Sequence, residues 1–246
     1  MSDSAQLTPS KAANTILRWI RVASGEAAAF TDLDMVREGL PGTPYGEGVK
    51  IIKPPMASPI KSSEGMLVCN PDDPTEWGIF VNEDSSSERR RFTIAHELGH
   101  FVLHRAKRRT FNCDKAAVHL SLESAGVIER EADEFASNLL MPGDVLRDRI
   151  TSQDVDLYLL SGLAKTFGVS FEALCIRFIK FTEKRAILLH WDNGFPSACK
   201  VMRIACCQAP CSAASLTTKS TRWSCAACEI SNTVASGLRA CRRSHG

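Results

Sequence analysis

The sequence predicts an α+β fold, and three observations carry that prediction. An amphipathic helix occupies residues 10–23, three short apolar segments separated by Pro- and Asp-rich turns follow it, and further amphipathic helices come after them. A small sheet enclosed by helices in this order is typical of the α+β class. With 44% hydrophobic and 24% charged residues over 246 positions, the composition excludes a collagen, a coiled coil and a wholly disordered chain.

The first part of the chain gives the elements of this fold in order. Ser10 is expected to cap the first helix, in which apolar residues recur at helical spacing up to Ala23. A shorter helix is expected to begin at Thr31 or Asp32 and to end at Gly39, before a turn rich in Pro and Gly. Strands are expected at residues 49–52, 66–69 and 77–81.

A longer helix is expected to begin where Ser85 and Glu88 form a capping box. Its apolar spacing continues to about His104, and a basic run at 105–109 lies at its C-terminus, where cations favour the helix dipole. The segment between this helix and the next gives no clear pattern. The remaining elements are helices at 125–140, 153–167 and 170–181, a strand at 187–191 and a hairpin turn at 192–194.

An H-E-x-x-H motif lies at residues 96–100, on the predicted long helix. Residues four apart share one helix face, so both imidazoles can bind one ion, and zinc suits neutral imidazole nitrogen. Glu97 can reach a metal-bound water without binding the metal, which is the position of a general base in peptide hydrolysis. The motif therefore predicts a catalytic zinc site with His96 and His100 as ligands.

A catalytic zinc ion needs a third protein ligand, and the following helix offers one. Glu129 and Asp133 share a helix face, so Glu129 can complete the site while Asp133 accepts the second ring N–H of a histidine, with His96 favoured. Glu131 is the competing ligand, but on a helix it points about 200° away from Glu129. His104 is a further alternative, which we interpret as a packed or capping histidine because it lies about 12 Å from His96 along the axis.

Two segments, RFTIAHELGHFVLHR and EREADEFASNLLMP, resemble the ImmA/IrrE family of zinc metallopeptidases, as do WGIFVNEDSSSERRRF before them and LAKTFGVSFEALCIRF after them. The resemblance implies a zincin-like, more narrowly gluzincin-like, core followed by a small helical region. It assigns one zinc ion to His96, His100 and Glu129, and makes Glu97 the catalytic base. It also implies a bacterial or phage endopeptidase of the cytoplasm that cleaves a helix-turn-helix repressor and so derepresses stress-response or mobile-element genes.

The substrate side of the site keeps alternatives open. In zincins generally an edge strand beside the metal binds the substrate as an added strand, and the segment that leads into the metal helix is the candidate. An ordinary core strand is the alternative. The candidate substrate-binding residues are Ile79, Phe80, Val81 and Asn82. The oxyanion is stabilised by His119, Tyr158 or His190, or by the zinc ion alone.

A function without proteolysis is the alternative to this reading, namely a zinc-containing regulatory or DNA-binding protein. Residues 161–181 superficially resemble a helix-turn-helix pair. The second helix of this pair is largely apolar, whereas a recognition helix offers polar and cationic side chains, so direct DNA binding is not favoured.

The chain changes character near residue 195. Residues 1–194 carry 23 Lys+Arg against 27 Asp+Glu, whereas residues 195–246 carry seven basic residues, one acidic residue and seven of the ten cysteines. The spacing of Cys207, Cys211, Cys225 and Cys228 is that of a second, structural zinc ion, but no apolar periodicity surrounds it, so we expect a disordered or atypical extension. The expected domains are 1–150 with the zinc core, 151–194 with a helical region and a terminal strand, and 195–246.

Localisation is predicted from what the sequence lacks. No apolar run reaches the roughly 18 residues that span a bilayer, and the N-terminus has no signal-peptide pattern. We therefore expect a cytoplasmic protein with no membrane partner, in which the cysteines do not form a disulfide framework.

Overall fold

The computed structural model describes residues 7–24, 30–60, 62–114, 123–151, 155–182, 187–192, 195–201 and 238–240. The chain forms two compact units, residues 1–171 and 172–246. The domain boundaries expected from composition stay predictions.

The first unit contains six helices and a five-stranded sheet among its described residues. The helices are α1 (Pro9–Ser24), α2 (Leu33–Gly39), α3 (Ser87–His104), α4 (Glu123–Leu140), α5 (Gly143–Thr151) and α6 (Leu157–Phe167). The strands are β1 (Ile51–Ile52), β2 (Met56–Ala57), β3 (Ser63–Cys69), β4 (Glu76–Val81) and β5 (Thr110–Asp114). This arrangement of a small mixed sheet with flanking helices confirms the predicted α+β class.

The sheet has the strand order β1-β4-β3-β5, with β2 also paired to β4. Strand β3 is antiparallel to both of its neighbours, whereas β1 and β2 run parallel to β4. The register between β3 and β5 shifts between Ser63 and Gly65, which is a β-bulge that pairs Gly65 with Cys113. Among the described residues, β5 is the outer strand on its side of the sheet.

One prediction about the substrate side is wrong: the candidate substrate-binding residues do not lie on an edge strand. These residues are Ile79, Phe80, Val81 and Asn82. Strand β4 carries β3 on one side and both β1 and β2 on the other, so its backbone is already paired. Ile79 is fully buried. The segment is a central strand of the sheet, which was the alternative interpretation.

Helix α3 lies between the sheet and α4. Ala95, Leu98 and Phe101 on α3 are fully buried, as are Ala132 and Phe135 on α4. A helix covered on two sides buries most of its circumference, so polar residues on it are removed from water as well. This position places the H-E-x-x-H motif inside the first unit.

The helix ends follow ordinary capping chemistry, with two differences from the prediction. Ser10 lies inside α1 rather than at its cap, and the Thr8 hydroxyl accepts a backbone N–H of the first turn instead. Asp32 caps α2 through its carboxylate, as one of the two predicted positions. Helix α3 is capped by Ser86 rather than by Ser85, and the Ser86 hydroxyl accepts the backbone N–H of Arg89. Three short elements were not predicted: β2, β5 and α5. They are too short to show periodicity, and their pairing or packing partners lie far along the chain.

The second unit is described by α7 (Phe171–Phe181), β6 (Ile187–Asp192), β7 (Phe195–Val201) and β8 (Leu238–Ala240). Strand β6 pairs antiparallel with both β7 and β8. The predicted strand at 187–191 is present, and strands at 195–201 and 238–240 lie within the segment that we expected to be a disordered or atypical extension. Cys207, Cys211, Cys225 and Cys228 lie outside the described residues.

Among the described helices, no single one combines the length and the apolar character needed to cross a membrane; the bent pair α6 and α7 meets that criterion only when the two are taken together.

Candidate metal centre

The H-E-x-x-H motif occupies the middle of α3, where all three functional side chains are buried. His96 is 8% exposed, and Glu97 and His100 are fully buried. His96 and His100 are one helical turn apart, so their rings share the face that looks toward α4 and β5. Their Nε2 atoms approach each other to 3.0 Å.

Two further side chains bring a donor atom to the same point. The Glu129 carboxylate on α4 lies 3.2 Å from Nε2 of His96 and 3.4 Å from Nε2 of His100. The Cys113 sulfur on β5 lies 3.4 Å and 3.5 Å from the same two nitrogens. All four donor atoms lie within 4.8 Å of one another, so this group can hold a metal ion.

The distances between the donors fit a tetrahedral zinc ion. With bonds of about 2.0–2.1 Å to nitrogen and about 2.3 Å to sulfur, tetrahedral angles place two nitrogens about 3.3 Å apart, and a nitrogen and a sulfur about 3.6 Å apart. The observed spacings of 3.0 Å and of 3.4–3.5 Å are close to these values. Imidazole, carboxylate and thiolate are also the donor types that zinc prefers.

Asp133 and His104 orient the two histidines through their outer nitrogens. Nδ1 of His96 lies 2.9 Å from the Asp133 carboxylate, so the ring donates there and directs its Nε2 lone pair inward. Nδ1 of His100 lies 3.1 Å from Nδ1 of His104, whose Nε2 lies 2.9 Å from the Glu131 carboxylate. His104 and Glu131 therefore lie behind His100 and not among the converging donors, which agrees with the reading of His104 as a packed histidine.

Glu97 is buried without a hydrogen-bond partner for either carboxylate oxygen among the described residues. Burial raises the pKa of Glu97 to about 7, and the nearby His96 and Cys113 only partly oppose this. Burying a carboxylate whose lone pairs lack hydrogen-bond donors has a large free-energy cost. A buried group of this kind therefore points to a functional role. It lies on the helix between the two histidines, where a proton acceptor for a water molecule is needed.

The pKa values of the other titratable groups depend on their burial and on their contacts with one another. Burial lowers the pKa of His100 to about 4, so this ring is neutral, as a ligand must be. Burial alone raises the pKa of Glu129, but the hydrogen bonds with His100 and His96 outweigh it and keep the carboxylate ionised. Burial lowers the pKa of His96, yet the contacts with Asp133, Cys113 and Glu129 raise it well above its usual value.

Cys113 differs from the other donors, because burial raises the pKa of its thiol to about 12. A thiol with this pKa is protonated at neutral pH unless a metal ion binds it, and a coordinating metal removes the proton. His96 must also lose a proton when an ion binds. Metal binding at this group therefore releases protons.

Sequence reasoning found three of the four donors and missed Cys113. The structure brings His96, His100 and Glu129 together and places Asp133 behind His96. Cys113 reaches the same point because β5 pairs with β3. The signal in the sequence was a cysteine in a short stretch after the metal helix, and it was too weak to stand out. Of the candidate oxyanion partners, His119 lies outside the described residues, the side chain of His190 is not described, and Tyr158 is 89% exposed on α6.

Comparison with known proteins supplies one family match. A family model described as the IrrE N-terminal-like domain of the M78 peptidases matches residues 47–178, more than half of the chain. No curated protein matches the sequence. A solved structure of a Mycobacterium tuberculosis transcriptional regulator is similar at 18% identity and a TM-score of 0.48, over 77% of this chain; this chain spans 55% of that protein.

Proposed function

This chain belongs to the M78 peptidase family, whose IrrE N-terminal-like domain its residues 47–178 form, and on that basis we propose that it is a zinc-dependent endopeptidase. One observation carries the proposal. A buried carboxylate without a hydrogen-bond partner, Glu97, lies beside donor atoms whose spacing suits a tetrahedral zinc ion. Membership of a peptidase family and the chemistry of the site both support hydrolysis of a peptide bond.

Each residue has a distinct part in this reaction. His96 and His100 would hold the ion through their Nε2 atoms, and Glu129 would hold it through a carboxylate oxygen. The ion, when bound, polarises the scissile carbonyl and acidifies the attacking water. Glu97 accepts the proton of that water on its carboxylate and delivers it to the leaving amine nitrogen. The fully buried position of Glu97 excludes bulk water from the proton path, and its raised pKa suits a group that both accepts and returns a proton.

The substrate strand is proposed to pair with β5 instead of β4. Strand β5 is the outer strand among the described residues, and Cys113 on it lies at the metal centre. An extended peptide added to this edge would form backbone hydrogen bonds while its carbonyl groups pass the ion. Thr110 and Asn112 on β5 are exposed, so they are accessible to a docking strand.

A helix-turn-helix transcriptional repressor is the proposed substrate, with derepression of stress-response or mobile-element genes in the cytoplasm as the consequence. This part of the proposal is supported by the family resemblance alone. Direct binding of DNA by this chain forms no part of it.

A metal-containing regulator without peptidase activity is the second candidate, because Cys113 offers a fourth donor. Structural zinc sites are closed by four protein ligands, whereas catalytic sites keep one position open. The unpartnered Glu97 favours catalysis over this candidate, since a purely structural site has no need for a buried base.

The test is cleavage of a co-expressed repressor, followed by intact-mass analysis, with zinc content measured on the same preparations. We expect one cut with the natural chain and none with Glu97→Gln, which keeps its zinc because Glu97 is not a ligand. Glu83→Gln, at an exposed position, is the matched control and should cleave normally. Equal cleavage by Glu97→Gln would contradict the mechanism, and zinc binding without cleavage of any repressor would favour the second candidate.

A further inference from the structure

We propose that Cys113 binds the ion as a fourth ligand and closes the metal centre, so that the chain folds as a latent peptidase opened by release of this thiolate. The inference rests on the proposed function, because it takes the ion to be zinc and the closed site to be a peptidase site. It adds a residue that the H-E-x-x-H pattern does not include.

The first argument is the position of the sulfur. It lies 3.4 Å from Nε2 of His96 and 3.5 Å from Nε2 of His100, close to the nitrogen–sulfur separation of about 3.6 Å around one tetrahedral zinc ion. With Glu129 the donors number four, which fills a tetrahedron. A catalytic zinc ion needs one position for water or substrate, so a bound Cys113 and a reacting water exclude each other.

The second argument is the backbone that aims the side chain. Cys113 pairs with Gly65 next to the β-bulge between Ser63 and Gly65, and a bulge changes the direction in which neighbouring side chains point. Gly65 also lies against the Glu97 carboxylate. The same pair of residues therefore places the thiol at the ion and leaves room for the proposed base.

The third argument is the contrast with the other two cysteines whose side chains are described. Cys69 and Cys175 are buried, and Cys69 lies against the backbone carbonyl groups of Asn70 and Pro74. Cys113 is half-buried and lies on the outer strand of the sheet. It is the position that a substrate strand or a thiol reagent can approach.

Opening is a ligand exchange that balances without a redox partner. The zinc–sulfur bond breaks, the sulfur takes a proton from solvent, and a water molecule takes the vacated position. Because β5 is also the strand to which we propose the substrate adds, release of the thiolate and substrate binding take place on the same element.

The experiment compares the full chain with Cys113→Ala and Cys113→Ser, with Cys69→Ser as the matched control. Zinc X-ray absorption on protein loaded with one equivalent should show a sulfur neighbour at about 2.3 Å that is absent in both Cys113 variants and retained in the control. After cobalt substitution, the sulfur-to-metal charge-transfer absorption should follow the same pattern. The tail cysteines are present in every sample, so the difference reports Cys113 alone. Repressor cleavage should rise by roughly tenfold or more in Cys113→Ala, since the open form no longer has to compete with the closed one.

A second measurement uses the natural chain and does not depend on a variant folding. Bound zinc should protect Cys113 from alkylation, as read by peptide mass spectrometry, and chelation should remove the protection, while labelling of Cys69 stays unchanged. Zinc bound without sulfur, or Cys113 labelled equally with and without zinc, overturns the inference and leaves Glu97-dependent cleavage standing. If the natural chain cleaves the repressor and Cys113→Ala, having lost the sulfur neighbour, cleaves it no faster, the latency is overturned. Failure of the proposed function has a different signature, which is absence of bound zinc, cleavage that does not require Glu97, or no cleavage by either the natural chain or Cys113→Ala.

Discussion

Gly65 on β3 faces the carboxylate of Glu97 on α3 with no space for a side chain between them. A Cβ at position 65 would lie 2.5 Å from Oε1 of Glu97 and would also collide with Cγ2 of Thr93. The close approach of the strand to the helix leaves the Glu97 carboxylate no space to move toward β3. Glycine at this position is therefore a requirement of the site and not of a turn.

We expect Gly65→Ala to displace the Glu97 carboxylate and lower the rate of peptide hydrolysis, on the order of a hundredfold, because a shift of about 1 Å in a catalytic group has that effect. Zinc binding should persist, since neither residue is a ligand. The measurement is cleavage rate together with zinc content. Gly162→Ala on α6 is the control, because a Cβ there meets nothing within 4 Å. Loss of zinc along with activity would show that the substitution disturbs the whole site.

The part of the site that depends on spacing within one helix could be predicted from the sequence. The part that depends on the pairing of distant strands could not. His96, Glu97 and His100 are related by helical spacing, and Glu129 and Asp133 by the same spacing on α4, so their relative positions follow from one period. Cys113 reaches the ion only because β5 pairs with β3 through a bulge. No periodicity within a five-residue strand indicates its partner.

The order of strands was hidden for a similar reason. The segment that leads into α3 was expected to be an edge, yet the two-residue strands β1 and β2 cover it. Strands of that length leave almost no trace in a sequence.

Gly99 is the second glycine that the site requires. A Cβ at this position would lie 3.0 Å from Cδ1 of Phe135 and 3.2 Å from the backbone of Ala132, so α3 and α4 are tightly packed here. We expect Gly99→Ala to separate the helices, lower the free energy of unfolding by about 1–3 kcal/mol and weaken zinc binding, because Glu129 lies on α4. Urea denaturation and chelator competition measure the two effects. Unchanged zinc affinity in a clearly destabilised variant would mean that Glu129 adjusts independently of the helix.

The two outer carboxylates should contribute unequally to zinc affinity. Asp133 contacts a proposed ligand directly, whereas Glu131 acts through His104. We expect Asp133→Ala to raise the zinc dissociation constant by about 10–100-fold and Glu131→Ala to raise it by less. Helical spacing alone directs Glu131 away from Glu129, so the contact with His104 is the reason to expect an effect. Glu134→Ala is the control, since its carboxylate contacts Ser10 on α1 and no histidine. If Glu131→Ala and Glu134→Ala bind zinc equally well, His104 does not act as a positioning residue for His100.

The ion pair between Arg21 on α1 and Asp144 on α5 gives a stability effect with a defined pH dependence. Two hydrogen bonds join the guanidinium to the carboxylate, one of them 3.1 Å long. The hydrogen bond from Arg21 lowers the pKa of Asp144 below its ordinary value of 3.8, so the folded state binds this proton less readily than the unfolded chain does. The stabilisation is therefore fully present above that ordinary value and is lost as the pH falls through the lowered one.

We expect Asp144→Asn to lower the free energy of unfolding by about 0.5–1 kcal/mol at pH 7, because the carboxylate is 58% exposed and solvent screens the pair. Asp144 lies in the first turn of α5, and asparagine has nearly the same size and shape, so the substitution mainly removes the charge. Urea denaturation at a series of pH values should show the two proteins converging as the pH drops below about 4, where aspartate in the unfolded chain is protonated. Arg21→Gln should give the same convergence, and the double variant should be no less stable than either single one. A difference that stays constant from pH 7 to pH 3 would assign the effect to packing between α1 and α5 and not to the ion pair.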